Sequence, residues 1–468
     1  MIKNKIVILI LVIFYIISFT FPSLSNSIFI VAKVNNSIIT NIDIIKEANY
    51  LRALNPDLKK LKTNEILKIA KNSMLREKIK EGEISKYLDL NNENPMLKST
   101  IINIYSRLNF KSETEFEEYL NEFDLTVSIV KKKINIETTW NQLIFEKYKN
   151  LALEVESAAL EVTDISQSES AGFSSNYSNF HFTTSNGFSS GYQRTAFGLY
   201  CSAIAGTGSS MERDFASEGR TFFNDLPSAS SIGLLAANRA TARLKPKRPP
   251  TGLYPVLFDQ RISSSLIGHL TAAINGMAIC RGSSWLLGSL NKKILPENLS
   301  LCEDPNRPRI AGSRPFDAEG LPTTQKNFVE NGVLKNYILD LRSARKLNLE
   351  PLGNAYRSLA SAPQPGVGNL ELSPGNSTCE QLLGNIKSGL LVTSLIGATI
   401  NQNTGDYSRG ANGFWIENGQ VAFPVNECTI AGNLKEMLLN VIAGNDGKSH
   451  LSKVVPSLLI EKMTVASR

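Results

Sequence analysis

Hydrophobic residues follow two rhythms along this chain. Between residues 113 and 123 they recur every third or fourth position. Phe116, Tyr119, Leu120 and Phe123 fall at i, i+3, i+4 and i+7, one face of a helix. Ser112 and Glu115 form a capping-box pattern at its start. Thr63 to Leu90 and Val127 to Tyr148 carry similar faces. Ahead of them, Ile28 to Thr40 reads as a strand, a turn at Asn35-Asn36 and a second strand. Lys131 to Lys133 reads as a solvated face rather than a binding patch.

From about residue 151 the pattern becomes β-rich, with tight turns. Ser185-Asn186-Gly187, Asn331-Gly332 and Asn418-Gly419 each stand between apolar runs. Asn-Gly favours positive φ at both central positions, as a two-residue hairpin turn requires. These signals predict a large antiparallel sheet. Helices are predicted near Ile262 to Met277, Ser343 to Leu347, Glu380 to Ile386 and Leu434 to Val441. The fold class expected is α+β: a mostly helical N-terminal segment followed by a β-rich C-terminal domain.

Composition divides the chain at the same place. Of the 31 glycines, residues 1–150 hold only Gly82, and they contain no cysteine or histidine. Lysine dominates their basic residues, whereas arginine outnumbers lysine after residue 150. No Pro/Gly/Ser linker marks the join, so the chain reads as two pieces of different origin, a real fusion or a join of two gene fragments. The expected segments are 1–25, 26–150, 151–245 and 246–468. A length of 468 residues is too great for one typical core. Apolar content of 42% and charged content of 20% are those of a globular protein. The net charge of +7 comes without a Lys/Arg stripe interleaved with aromatics, which argues against nucleic acid. Cys201, Cys280, Cys302, Cys379 and Cys428 are odd in number and form no CxxC, so buried, reduced thiols are expected.

The first piece opens with Lys3 and Lys5, an apolar run from Ile6 to Phe21, and Pro22. That run is short for a bilayer span and has the layout of a secretory signal, so no stable membrane span is expected. With "VAKVNNSIITNIDI" and the helices after it, residues 1–150 resemble the N-terminal domain of the periplasmic chaperone and prolyl isomerase SurA. The prolyl isomerase domain that would come next in that family does not follow here.

The second piece carries "PVLFDQRISSSLIGHL", "DPNRPRIAGSRPFDAEGLPT", "VENGVLKNYILDLRSARKL", "TGDYSRGANGFWIENGQVAFPVNECTIAGNLKEML" and "PSLLIEKMTVAS". In these segments it resembles the TldD/TldE metalloprotease family, whose TldE subunit is also called PmbA. The resemblance covers nearly all of residues 151–468, residues 151–245 answering to part of the central region. It implies an N-terminal α/β domain, replaced here by the SurA-like segment, and a β-rich C-terminal domain. TldD subunits carry HExxxH on the helix that matches residues 263–282, two histidines and a glutamate that make a zinc site with its general base. Laid on that motif, Gly268 stands at the first histidine, His269 at the glutamate and Ala273 at the second histidine. The resemblance therefore implies a subunit without metal or catalytic residues of its own. Its TldD partner would supply the zinc, and the pair would cleave unfolded peptides.

Leu266, His269, Leu270, Ala273 and Met277 share one helical face, which makes His269 a hydrogen-bonded packing residue. His181 and His450 are isolated in sequence. Two turn-rich loops are candidate peptide- or partner-contact sites: "SRPFDAEG", with Arg314, Asp317 and Glu319, and "TGDYSRG", with Asp406, Ser408 and Arg409. No cysteine shows signs of being a nucleophile. The alternative to a peptidase subunit is a periplasmic, SurA-like binder of unfolded outer-membrane proteins, or a non-functional chimera. The signal directs the chain to the periplasm, whereas the larger resemblance implies the cytoplasm.

Overall fold

In the computed structural model, Asn35 takes a left-handed φ of 52° and turns strand β1 (Ile30–Val34) back onto β2 (Ser37–Thr40). The structure describes residues 28–35, 37–358 and 360–467; the expected export signal over residues 1–25 lies outside them. The chain divides into two units, the first ending at Lys147 and the second beginning at Tyr148.

In the first unit, Thr40 ends β2 and caps helix α1 (Asn41–Leu54). Its hydroxyl accepts from the Asp43 N–H at 3.3 Å, and the Asp43 carboxylate accepts from the Thr40 N–H at 2.8 Å. Helices α2 (Thr63–Ile84), α3 (Leu97–Arg107) and α4 (Glu113–Asn121) follow, and then α5 (Val127–Leu160). Ile39, Ile44, Ile66 and Ala70 form one core cluster; Ile101, Phe116, Leu120 and Val130 form another. The face expected on α4 is present: Phe116 and Leu120 are fully buried, with Tyr119 and Phe123 packed beside them. Its capping box is altered. Ser112 accepts from the Glu115 N–H at 3.2 Å, but the Glu115 carboxylate reaches back to the Lys111 N–H at 2.8 Å.

The solvated face expected at Lys131–Lys133 is corrected at its last member. Lys131 pairs with Glu113 at 2.6 Å near the surface. Lys133 turns inward, pairs with Glu47 at 2.6 Å and with Glu77, and lies 5.0 Å from the Tyr50 ring centroid. The cause is helical phase, since Val130 and Lys133 are three residues apart on one face and Val130 is core.

In the second unit, β3 (Ile165–Thr183) and β4 (Ser189–Ala205) form a long antiparallel ribbon, unbroken in register from Ala171↔Cys201 to Thr183↔Ser189. Gly187, at φ 91°, turns its tip. Strand β5 (Glu212–Arg220) pairs with β4, and helix α6 (Ala229–Thr241) lays Ile232, Ala236, Ala237 and Ala240 on that sheet. A Cβ on Gly233 would stand 2.0 Å from the Val155 carbonyl oxygen, so α6 and the end of α5 touch backbone to backbone.

Strand β6 (Gly252–Phe258) leads into α7 (Gln260–Ala273) and α8 (Gly276–Arg281). Strands β7 (Leu301–Glu303), β8 (Lys326–Glu330) and β9 (Val333–Leu334) precede α9 (Leu341–Leu347). The pair β10 (Ala355–Tyr356) and β11 (Gln364–Pro365) precedes β12 (Leu370–Leu372) and α10 (Cys379–Gly384). The long strands β13 (Ser388–Ile400), β14 (Asp406–Glu417) and β15 (Gln420–Asn433) follow, then α11 (Leu434–Leu439), β16 (Ile442–Ala443), β17 (Lys453–Val454) and β18 (Leu458–Ser467).

β13, β14, β15, β18 and β6 pair antiparallel in that order, and β6 lies parallel to β13. The large antiparallel sheet expected from sequence is therefore closed into a five-stranded barrel with one parallel seam. Val256, Phe258, Leu390, Val392, Ile430 and Val465 are fully buried members of its core. A smaller sheet has the order β17-β12-β7-β8-β9. Two Asn-Gly turns behave as expected, with φ of 48° and 78° at Asn331-Gly332 and 49° and 76° at Asn418-Gly419, whereas at Ser185-Asn186-Gly187 only Gly187 has positive φ. All five cysteines are free, but only Cys201 and Cys428 are buried; the other three are half-buried. Among the described residues, no helix is long and apolar enough to cross a membrane.

Glu47 is 1% exposed, so its charge depends on Lys133. Lys133→Ala strands a buried carboxylate and is expected to cost about 3–5 kcal/mol. Amide hydrogen exchange in the intact protein would read this as lost protection across α1 and α2. Unchanged protection there would refute the role assigned to the pair.

Candidate functional site

Asp259 starts α7 by accepting from the Arg261 N–H at 2.9 Å, and Leu266, Ile267, Leu270 and Ala273 bury the helix's apolar face. The helix then stops. Asn275 caps a new helix, α8, by accepting from the Met277 N–H at 3.0 Å, and its amide donates to the Pro365 carbonyl at 3.1 Å. The single helix expected to Met277 is thus two, because the Asn275 side chain serves α8 rather than continuing α7. Met277 lies on the second helix, yet it lines the same cavity as His269.

His269 is half-buried, and its ring stands edge-on to Tyr407 with centroids 5.9 Å apart. Its Nε2 is buried and has no hydrogen-bond partner, which corrects the expectation of a hydrogen-bonded histidine. Burial lowers its pKa below 6.5, and the positive charge of Arg409 adds to the shift. Tyr407 is 2% exposed, and burial pushes its pKa up to about 12 against the charge and side-chain hydrogen bonding of Arg409. Gly268 has open space where a Cβ would be. His269 and Ala273 line a cavity of about 450 Å³ with Asn275, Trp285, Gln364 and Gln402.

The loop "TGDYSRG" is split by strand alternation. Tyr407 and Arg409 share one face of β14, while Asp406 and Ser408 share the other. Asp406 is exposed and accepts from the Thr404 hydroxyl at 2.6 Å and the Asn433 amide at 3.1 Å, which hold its pKa down. It locks a turn. Arg409 donates through Nε to the Gly397 carbonyl at 2.6 Å.

The loop "SRPFDAEG" is built inward. Asp317, 2% exposed, accepts from the N–H groups of Glu319, Leu321 and Ala355 at 2.9, 3.0 and 3.0 Å. Glu319 accepts from the Leu341 N–H at 2.8 Å at the start of α9, and burial raises its pKa. Arg314 donates to the Ala355 carbonyl at 2.8 Å and stacks over Tyr356 at 3.7 Å. Arg314 and Asp317 line a second cavity of about 630 Å³; Glu319 does not. His181 meets Ser189 across the ribbon at 3.1 Å, and His450 stands 3.2 Å from Glu218. Sequence reasoning missed Tyr407, although it sits inside "TGDYSRG", and a strand reading would have put it beside Arg409. It also missed Arg194, which carries no motif.

A zinc site does not fit here. Gly268 and Ala273 offer no donor atom, and a structural or catalytic zinc needs three or four protein ligands. Among the described residues, no three His, Cys, Asp or Glu side chains gather as a metal site. Three of the thiols are unsuited to nucleophilic work: burial raises the pKa of Cys201 and Cys379, and that of Cys428 to about 11.

Comparison with known proteins places this geometry in context. The profile of the PmbA/TldA metallopeptidase central domain matches residues 139–244, and that of the PmbA/TldA metallopeptidase C-terminal domain matches residues 251–467. Metalloprotease PmbA of Escherichia coli O157:H7 is 37% identical over 320 residues, 68% of this chain and 69% of that protein. A crystal structure from Bacteroides thetaiotaomicron, of a candidate modulator of DNA gyrase, superposes with a TM-score of 0.64 at 29% identity, covering 69% of this chain and 72% of that one. TldE from Thermococcus kodakarensis shares the fold, with a TM-score of 0.63 at 20% identity over 72% of this chain and 85% of that one.

The histidine yields a pH prediction. With the folded pKa of His269 below 6.5, the unfolded chain takes up the proton first. This contribution to stability is intact above pH 6.5 and is lost as pH falls through 6.5 toward the folded value. His450 shifts in the same direction, so His269→Asn should remove only part of the acid sensitivity. NMR titration of the His269 ring should give a midpoint under 6.5 that rises in Arg409→Gln. A wild-type midpoint at or above 6.5 would contradict the burial argument.

Proposed function

Because the chain belongs to the PmbA/TldD metallopeptidase family, we propose that it is a TldE-type subunit of a two-subunit peptidase. On this reading it carries no metal of its own. It shapes the path of an unfolded peptide and leaves hydrolysis to a TldD-type partner that holds the zinc. The observation that carries the reading is the state of α7. The helix is seated on the barrel, and Gly268, His269 and Ala273 stand on it where the resemblance would put HExxxH.

What remains at that place suits binding rather than bond cleavage. His269 is held toward its neutral form, and Arg409 leaves positive charge beside it. Gln364 and Gln402 bring carboxamides to the cavity, groups that can hydrogen-bond a peptide backbone without polarising it for attack. Residues 151–468 would then act in the cytoplasm, in contrast to the export signal suggested by residues 1–25.

Two outcomes test this. The purified chain is expected to contain no stoichiometric zinc by elemental analysis; about one zinc per chain that survives dialysis would remove the basis of the proposal. Mixed with a TldD-type subunit, the chain should support cleavage of an unfolded peptide that neither protein cleaves alone. Cleavage by this chain alone, indifferent to added partner, would point to chemistry outside this reading.

A further inference from the structure

The second cavity holds an unbalanced set of charges. It lies in the second unit, between the tip of the β3–β4 ribbon, loop 311–318, and residues 356–358 and 367–368 with Ser452. Phe180 and Phe182 come from the ribbon with Tyr192, and Phe316 rises from the loop opposite. Phe180 is 5.3 Å from Tyr192, and Tyr192 is 5.6 Å from Phe316, so the rings form one continuous apolar wall.

Three arginines line the cavity: the exposed Arg357 and, at this wall, Arg194 and Arg314. Arg314 is only 6% exposed, its Nε is buried without a hydrogen-bond partner, and it has no ion-pair partner among the described residues. Its stacking on Tyr356 at 3.7 Å and its bond to the Ala355 carbonyl fix the plane of the fork. Arg194 donates to the Ser313 carbonyl at 2.5 Å, and it too has no carboxylate partner among the described residues. The acid lining this cavity is Asp317, and its two oxygens already accept three backbone N–H groups. A buried, unpaired guanidinium is costly and is normally matched by an anion. Among the described residues the carboxylate of Asp317 lines the same cavity, but neither it nor any other stands within ion-pair distance of Arg194 or Arg314.

We propose that this cleft binds a carboxylate carried next to an aromatic or large apolar group, with Arg194 and Arg314 gripping the carboxylate and the ring wall taking the apolar part. A cavity of about 630 Å³ is of the size that holds one or two amino-acid residues. The chemistry fits the C-terminal residue of a peptide, or an acidic side chain beside an aromatic one. The inference deepens the peptide-handling reading above and rests on it only for the source of the carboxylate.

Isothermal titration of this chain alone, without partner or hydrolysis, tests it independently of that reading. N-acetylphenylalanine is the probe for a chain terminus. N-acetyl-aspartyl-phenylalanine amide is the probe for a side-chain carboxylate. N-acetylphenylalanine amide lacks the charge. At least one acid should bind, and about tenfold or more tighter than the neutral amide, as expected for a charge-assisted contact. Which acid binds identifies the source. Arg194→Gln should weaken the bound acid by about tenfold and leave the neutral amide unchanged; Arg314→Lys, which keeps the charge but loses the fork, should weaken it too. Equal binding of acids and amide, no binding of either acid at millimolar concentration, or full affinity in Arg194→Gln would overturn the proposal.

Discussion

The second unit depends on β15 being hydrogen-bonded along both edges, to β14 and to β18. Cys428–Ala431 pair with Ser467–Thr464, and that short contact closes the ring. Closure leaves no free edge among the five strands and turns their alternating apolar residues onto one core. It also fixes α7. β6 is gripped by β13 on one side and β18 on the other, and Asp259 follows it directly. The Asp259 N–H donates to the Val392 carbonyl at 3.0 Å while its carboxylate starts the helix. Two residues on, Arg261 meets the buried carboxylate of Asp214 on β5 at 3.1 Å, and Arg243 meets it at 3.4 Å. The helix is held from the barrel and from the neighbouring sheet at once.

That rigidity explains why its geometry can persist without ligands. The buried face of α7 is set by Leu266, Ile267 and Leu270, which the barrel needs whatever the polar residues are. Ala273 lies on that buried face as well, whereas positions 268 and 269 are only partly buried. The cost falls on a polar atom. His269 Nε2 is buried without a hydrogen-bond partner. An orphan of this kind costs on the order of 1–3 kcal/mol.

Local chemistry was the legible part of the sequence. Asn-Gly at 331–332 and 418–419 fixed its turns because only a few residues take positive φ cheaply, and the periodic face of α4 located its helix. Features decided by distant contacts were not legible. The parallel β6–β13 seam and the β15–β18 closure join segments far apart in sequence. The break after Ala273 depends on Asn275 reaching Pro365. Lys133 looked solvated because a run of three lysines hides which one faces inward. In the site, the sequence shows that Gly268 and Ala273 carry no donor atom, while their match to a metal motif is what the resemblance implies. The Tyr407 contact and the unpaired Arg194 were not legible, since each needs the strand's facing and a partner from elsewhere.

The crossing of α5 and α6 at Gly233 has no conservative substitute. Most packed contacts degrade gradually, a methylene at a time. Here the first possible step, a single methyl group, already meets the Val155 carbonyl. Mutational tolerance at this position is therefore a threshold rather than a slope, and sequence drift elsewhere on α6 has to proceed around a point that cannot move.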